Sequence, residues 1–168
     1  MHKVSLADAL PILEASLGLS QKSFSHYQRV MDYYSALLKA GEGFFFESFK
    51  KDPLYVTGYL LKLRDELMMN GWNGNSLGIS RIDDLAKVEK NFTNSTGYPE
   101  RMKRVIAALH KPRKYQLPPI SLICHKSSLS KLELSLVEAS KLTIEENKKT
   151  LKPISYYEFS SSYDGHSG

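Results

Sequence analysis

The stretch "DPLYVTGYLLKLRDELMMNGWNG", residues 52–74, decides the helical character of this chain. Asp52 followed by Pro53 is typical of a helix N-terminus, where the carboxylate caps the first turn and proline takes the first helical position. Gly71 is typical of the helix end. Between them, apolar side chains recur with a helical period and predict one buried face, formed by Val56, Leu60, Leu63 and Leu67.

The charges in this stretch divide between two faces of the predicted helix. At about 100° per residue, Lys62 and Asp65 fall away from the apolar face, whereas Arg64 lies at its edge. A guanidinium near a core needs an acidic partner, so we predict that Arg64 binds a carboxylate on another helix, in preference to a phosphate. We predict that Trp72 covers the end of the helix as an apolar plug, in preference to acting as an exposed stacking platform. Both residues are therefore assigned structural roles.

Similar signals on either side of this helix predict five or six helices in all, within a helical module of residues 5–111. The clearest is an amphipathic helix over residues 24–40, followed by Gly41. Pro11 indicates that the first regular helix begins there. Ser80 is the predicted cap of a further helix, and residues 98–110 form the last one.

The chain changes character after Pro112, where apolar runs of strand length appear. The segments "LPPISLICH" (117–125) and "ISYYEF" (154–159) are the predicted strands, and a helix that ends near Leu142 lies between them. The fold class is therefore mainly α, with a small β-α-β piece at residues 112–159. Residues 160–168 are poor in apolar side chains and are predicted to be a disordered tail.

Composition excludes several classes of protein. Of 168 residues, 42% are hydrophobic and 24% charged, which is typical of a folded globular chain. No apolar run approaches the ~20 residues that a membrane span needs. Asp8 and Glu14 interrupt any secretory apolar segment, so a cytoplasmic location is expected. Cys124 is the single cysteine and cannot form an internal disulfide.

Catalytic motifs are missing from the sequence. There is no phosphate-binding loop, dinucleotide fingerprint, zinc-protease helix or serine-hydrolase elbow. The five histidines are scattered without helical pairing. Asp83 and Asp84 suit the first turn of a helix better than an active site. We therefore expect no metal, no cofactor and no activity in this chain by itself.

The positive charge is clustered near one predicted helix. Net charge is +5, and one short segment carries Arg101, Lys103, Arg104, Lys111, Arg113 and Lys114. Clustered Lys and Arg are sufficient for sequence-independent contact with DNA phosphates. An ordinary solvated surface is the alternative. These six residues are the candidate DNA-binding site.

Three segments together resemble a region near the amino terminus of AddB-type proteins. They are Leu13–Leu19 (Leu-Glu-x-x-Leu-Gly-Leu), Ser48–Pro53 (Ser-Phe-x-x-Asp-Pro) and Leu61–Trp72 (Leu-x-x-Arg-Asp-Glu-Leu-x-x-x-Gly-Trp). In that family an inactivated helicase-like fold precedes a PD-(D/E)XK nuclease domain. The resemblance implies a helical insertion that returns to strands of a split, helicase-like α/β domain. It also implies a fragment, because the phosphate loop and the Asp…Glu-x-Lys nuclease site are both missing.

Two functional hypotheses follow. The first is a noncatalytic module of an AddB-like helicase-nuclease in DNA double-strand break repair and recombination, with a basic face on DNA. The alternative is an interaction or scaffolding module that packs on the remainder of a longer polypeptide or on a partner helicase-nuclease subunit. The second hypothesis predicts an exposed apolar patch near the terminal strands.

Overall fold

The structure, a computed structural model, describes residues 1–20, 23–93, 95–112 and 116–146, which form seven helices and three short strands. The helices are α1 (Leu6–Ser16), α2 (His26–Ala40), α3 (Phe46–Lys51), α4 (Pro53–Met69), α5 (Ser80–Glu89), α6 (Tyr98–Leu109) and α7 (Lys131–Ser140). The strands are β1 (His2–Val4), β2 (Ile120–Ile123) and β3 (Thr143–Glu145). The mainly α fold class with a small β piece is confirmed.

The strands form one parallel sheet in the order β1-β2-β3. Ile120 on β2 pairs with His2, and Ser121 pairs with Thr143. Along the chain, β1 precedes α1 and β2 follows α6. The six helices α1–α6 therefore form one continuous segment of sequence that connects two strands paired side by side in the sheet. The sheet therefore joins the two ends of the helical segment.

The sequence predicted only part of this sheet. Strand β2 and helix α7 lie where they were predicted, but β1 and β3 were missed. Three-residue strands are too short to show an alternating pattern. The second predicted strand, 154–159, and the predicted tail, 160–168, lie outside the described residues.

Two predicted helix starts are wrong. Helix α1 begins at Leu6, and the Ser5 side chain caps it by accepting a hydrogen bond from the Asp8 amide. Pro11 lies inside this helix, where burial of the surrounding apolar face outweighs the missing amide. Helix α5 has Ile79, not Ser80, at its cap position. There the Asp83 carboxylate accepts hydrogen bonds from the preceding loop.

Apolar side chains form two separate cores. The first lies among α2–α5 and includes Tyr33, Leu37, Leu60 and Trp72. The second joins α1, α6 and α7 to the sheet, through Leu10, Leu13, Met102, Val105, Leu122 and Leu136. The boundary predicted at residue 111 places α1 and α6 in the helical module; in the structure both helices share the second core with β2 and α7. No helix among the described residues is long and apolar enough to cross a membrane.

Candidate functional site

A buried cluster of charged side chains links four helices around Arg64. We call Arg29, Arg64, Asp65, Glu89 and Glu100 the central cluster. Arg64 Nε donates to Glu89 at 2.9 Å, and its Nη1 donates to Asp65 at 2.9 Å and to Glu100 at 2.5 Å. Arg29 binds both oxygens of Asp65, at 2.7 and 3.0 Å. The cluster thereby ties α2, α4, α5 and α6 together.

Aromatic rings complete the surroundings of the two guanidinium groups. Arg64 lies 5.1 Å from the centroid of the Phe92 ring, and Arg29 lies 6.0 Å from it. Tyr33 meets the same ring edge to face at 5.0 Å. Burial opposes the charge of Arg64, but hydrogen bonds to Glu89 and the charge of Glu100 raise its pKa overall. Arg64 is thus a permanent cation held by internal carboxylates.

Asp65 was predicted on the outer face of α4, and this is wrong. Its side chain is only 24% exposed and binds Arg29. Lys62, its neighbour on the predicted outer face, is exposed. The apolar pattern of α4 could not separate the two, because the partner of Asp65 lies on α2.

Trp72 is 7% exposed and belongs to the first core, just beyond the end of α4. Its indole Nε1 donates to the carbonyl of Asn75 at 2.8 Å, so the polar edge of the ring has a partner. The ring is therefore mostly buried in the first core, as expected for an apolar plug.

The predicted basic surface is partly taken up by an internal ion pair. Arg101 Nε and Nη2 donate to Glu14 at 2.9 and 2.5 Å, and Arg104 Nη2 approaches the same carboxylate at 3.4 Å. Glu14 is 0% exposed. Its pKa is held below the usual range, chiefly because Arg101 donates to it, in spite of burial. These two arginines attach α6 to α1.

The other four basic residues have different positions. The Lys103 ammonium lies 3.1 Å from the sulfur of Met68, and Lys111 is exposed just after α6. Neither lysine has an acidic partner among the described residues. Arg113 and Lys114 lie outside the described residues. The structure thus brings Arg101 and Arg104 together on Glu14, directs the Lys103 ammonium to the buried Met68 and leaves Lys111 exposed.

A cleft of about 720 Å³ runs beside the central cluster, between α2, α4, α6 and α7. Lys62, Asp65 and Glu133 are among its charged lining, so it has no single sign of charge. Burial and the charge of Glu133 raise the pKa of Tyr98, which also lines it, to about 12. A neutral phenol among mixed charges does not define a catalytic centre.

Groups for metal or nucleophilic chemistry do not converge within the described ranges. No set of His, Cys, Asp or Glu there could hold a metal ion. Cys124 is half-buried, and burial with the nearby charge of Glu133 raises the pKa of its thiol. That shift favours the unreactive thiol over the thiolate.

The fold is a helical segment bounded by neighbouring strands of a small parallel sheet, and its charged clusters connect helices. Comparison with known proteins gave no match to a protein-family model, to a curated sequence or to a solved structure. The fold and its surfaces are therefore the basis for the functional proposal.

Proposed function

We propose that this chain is a noncatalytic module of an AddB-like helicase-nuclease that acts in DNA double-strand break repair and recombination. The main support is the position of α1–α6 between β1 and β2, two parallel and adjacent strands. That is the arrangement of a helical insertion in an α/β domain, which the sequence resemblance implies. The parent protein would act in the cytoplasm as a DNA exonuclease or helicase subunit, with its chemistry elsewhere.

The edge of the sheet at β3 and a cavity beside it support packing of a further structural element against the described part of the chain. Strand β3 pairs on one side only among the described strands. Beside it, a cavity of about 420 Å³ lies between α7 and β3 and is lined by Leu134, Val137, Leu142 and Ile144. Parallel sheets are normally extended and covered on both faces. The remainder of a longer polypeptide, or a partner subunit, would fill this place.

Direct contact with DNA would use Lys103, in the middle of α6, and Lys111, just after the helix ends. Arg101 and Arg104 fix this helix on Glu14, so its orientation relative to α1 is set by a buried pair. Lys103 and Lys111 then supply the charges for phosphates. Such contacts are electrostatic and independent of base sequence.

The test is the salt dependence of binding to labelled duplex and single-stranded DNA, measured by fluorescence anisotropy on the full chain. Charge reversal at Lys103 and Lys111 should weaken binding and lower the salt slope by about one unit per lost contact. Lys126→Glu, at an exposed lysine after β2, is the control and should bind as the parent chain does. An absence of binding at low salt, or an equal loss in the control, contradicts the DNA role.

The cavity at β3 favours a second candidate function, an interaction or scaffolding module without DNA contact. Its lining at Val137 and Ile144 should then be covered by the partner. Val137→Asp would abolish assembly with a coexpressed downstream segment of the parent protein, as judged by size-exclusion chromatography. Unchanged assembly of this variant would remove the β3 cavity as the interface.

A further inference from the structure

The sequence at the end of α4 contains two Asn-Gly pairs, Asn70-Gly71 and Asn73-Gly74. An asparagine followed by glycine is chemically labile, because the glycine nitrogen can attack the side-chain carbonyl carbon and no side chain at the glycine hinders it. Both glycines have positive φ angles, +99° at Gly71 and +86° at Gly74. A difference in reactivity between the two pairs must therefore come from the contacts that surround them.

Hydrogen bonds hold the first pair at the end of α4. The Gly71 amide donates to the carbonyl of Met68 at 3.2 Å, so the nitrogen that would attack is engaged. The Asn70 side-chain nitrogen donates to the carbonyl of Glu66 at 2.9 Å, as does the Asn70 amide at 3.1 Å. Attack on the Asn70 side chain would have to break these bonds and unwind the end of the helix.

The second pair has the opposite arrangement. Asn73 is exposed, and the Gly74 amide donates no hydrogen bond within the described ranges. Asn73 Oδ1 accepts a hydrogen bond from the Asn75 amide at 3.1 Å, as in an Asx turn. The side chain is thus folded towards the segment that contains the Gly74 nitrogen, and the hydrogen bond draws electron density from the side-chain carbonyl carbon.

The fold requires glycine at position 74. A Cβ there would lie 2.9 Å from Cγ of Glu89, and the φ angle of +86° also disfavours other residues. Glu89 belongs to the central cluster, where it binds Arg64. The packing of Gly74 on Glu89 therefore places an unhindered nitrogen directly after Asn73.

We propose that Asn73 is a site of spontaneous deamidation, whereas the fold protects Asn70. The Gly74 nitrogen loses its proton to hydroxide and bonds to Cγ of Asn73. The side-chain nitrogen takes a proton from water and leaves as ammonia, so that a cyclic imide remains. Water then opens the imide: attack at the side-chain carbonyl gives aspartate, and attack at the main-chain carbonyl gives isoaspartate, in which the backbone runs through Cβ and Cγ.

Both products change the surroundings of Trp72. Aspartate adds a negative charge to the loop that packs on Glu89. Isoaspartate adds one carbon to the backbone between Trp72 and Asn75, whose carbonyl accepts the indole hydrogen bond at 2.8 Å. We expect this bond to be lost, and Trp72, the single tryptophan of the chain, to report the change by its fluorescence. The site goes beyond the proposed function and does not depend on contact with DNA.

The experiment incubates the full chain at mildly alkaline pH and follows residues 65–81, which trypsin releases as one peptide, by mass spectrometry. Fragment ions distinguish Asn70 from Asn73, and a sample digested without incubation corrects for conversion during digestion. In the folded chain, Asn73 should convert at least about tenfold faster than Asn70, because Asn70 has hydrogen bonds to break. In guanidinium chloride, where the same chain is unfolded, the two sites should convert at similar rates.

The unfolded chain is the matched control, because it keeps the sequence and removes the contacts. Equal conversion of the two sites in the folded chain, or faster conversion at Asn70, overturns the proposal. So does an Asn73 that stays intact in the folded chain while the unfolded chain converts. Asn73→Gln should retain the fold by circular dichroism and abolish the fluorescence change, since glutamine cyclises far more slowly. An equal fluorescence change in this variant overturns the proposed effect on Trp72.

Discussion

Arg101 on α6 holds the carboxylate of Glu14 on α1 with hydrogen bonds of 2.9 and 2.5 Å. Glu14 is wholly buried, while the Arg101 side chain is 19% exposed. The two residues are 87 positions apart in the chain. This pair therefore joins the first helix to the last helix before β2, and with them the two sides of the second core.

Replacing Glu14 by glutamine should destabilise the fold strongly. The substitution keeps the shape of the side chain but leaves Arg101 and Arg104 without their counter-charge. Breaking a buried pair from one side costs about 3 kcal/mol or more in the free energy of unfolding. Urea denaturation would measure this loss. Glu66→Gln, at an exposed position of α4, is the control, and an equally small effect of both variants contradicts the structural role.

The contribution of Glu14 should depend on pH. Its pKa is lower in the folded chain than its ordinary value of 4.5, so the unfolded chain binds the proton more readily. The stabilisation is therefore present above pH 4.5 and declines as the pH falls through the folded pKa. The difference in unfolding free energy between the parent chain and Glu14→Gln should shrink in acid.

The pH dependence of Asp83 and Glu145 does not affect this difference in unfolding free energy. Both also have lowered pKa values, Asp83 chiefly through Ser76 and Glu145 chiefly through Lys3. They are present in both proteins, so their effects cancel in the difference. A difference that stays constant from neutral pH to well below pH 4.5 would contradict the assignment to Glu14.

Removing the charge of Arg64 should unfold the helical segment at lower denaturant concentrations. Arg64→Met leaves Glu89 without its cation and Glu100 with Arg29 alone, and the expected cost is about 3–5 kcal/mol. Lys62→Met, two positions earlier and exposed, should change stability by less than about 0.5 kcal/mol. Chemical denaturation of the two variants side by side measures the contrast. Equal effects would show that the central cluster does not stabilise the fold.

The helices of this fold follow from the sequence because their signals are local. The cap at Asp52, the proline at N1 and the stop at Gly71 all act within one or two turns. The need of Arg64 for a carboxylate is also visible from its place on the helix. Which carboxylates it binds is not, since Glu89 and Glu100 are 25 and 36 residues away.

The sheet and the basic site could not be predicted fully, because they depend on contacts between residues far apart in the sequence. Strands β1 and β3 depend on pairing with β2 across long stretches of chain, and neither has a periodic pattern of its own. Arg101 and Arg104 were grouped with their basic neighbours by sequence alone. Their partner Glu14 lies in α1, and nothing in its local sequence indicated this ion pair. Arg29, too, gave no signal beyond its place in an amphipathic helix.

Adding a methyl group at Gly97 should damage the central cluster. A Cβ there would overlap the guanidinium of Arg29, which packs directly on the glycine. Arg29 would have to leave Asp65, so we expect a loss of about 2 kcal/mol or more in unfolding free energy. Gly58→Ala is the matched control, since nothing lies within 4 Å of its Cβ and it is inside α4. That variant should gain about 0.5–1 kcal/mol.

Tyr33 carries a buried hydroxyl with no hydrogen-bond partner among the described residues, although its ring packs on Phe92. Burial raises the pKa of this phenol, so it stays neutral. Tyr33→Phe keeps the ring and removes the unsatisfied group, and we expect a gain of up to about 1 kcal/mol. Tyr33→Leu is the control and should destabilise through loss of the edge-to-face contact. Thermal and urea unfolding measure both. A loss of more than about 1 kcal/mol in Tyr33→Phe would mean that the hydroxyl has a stabilising partner.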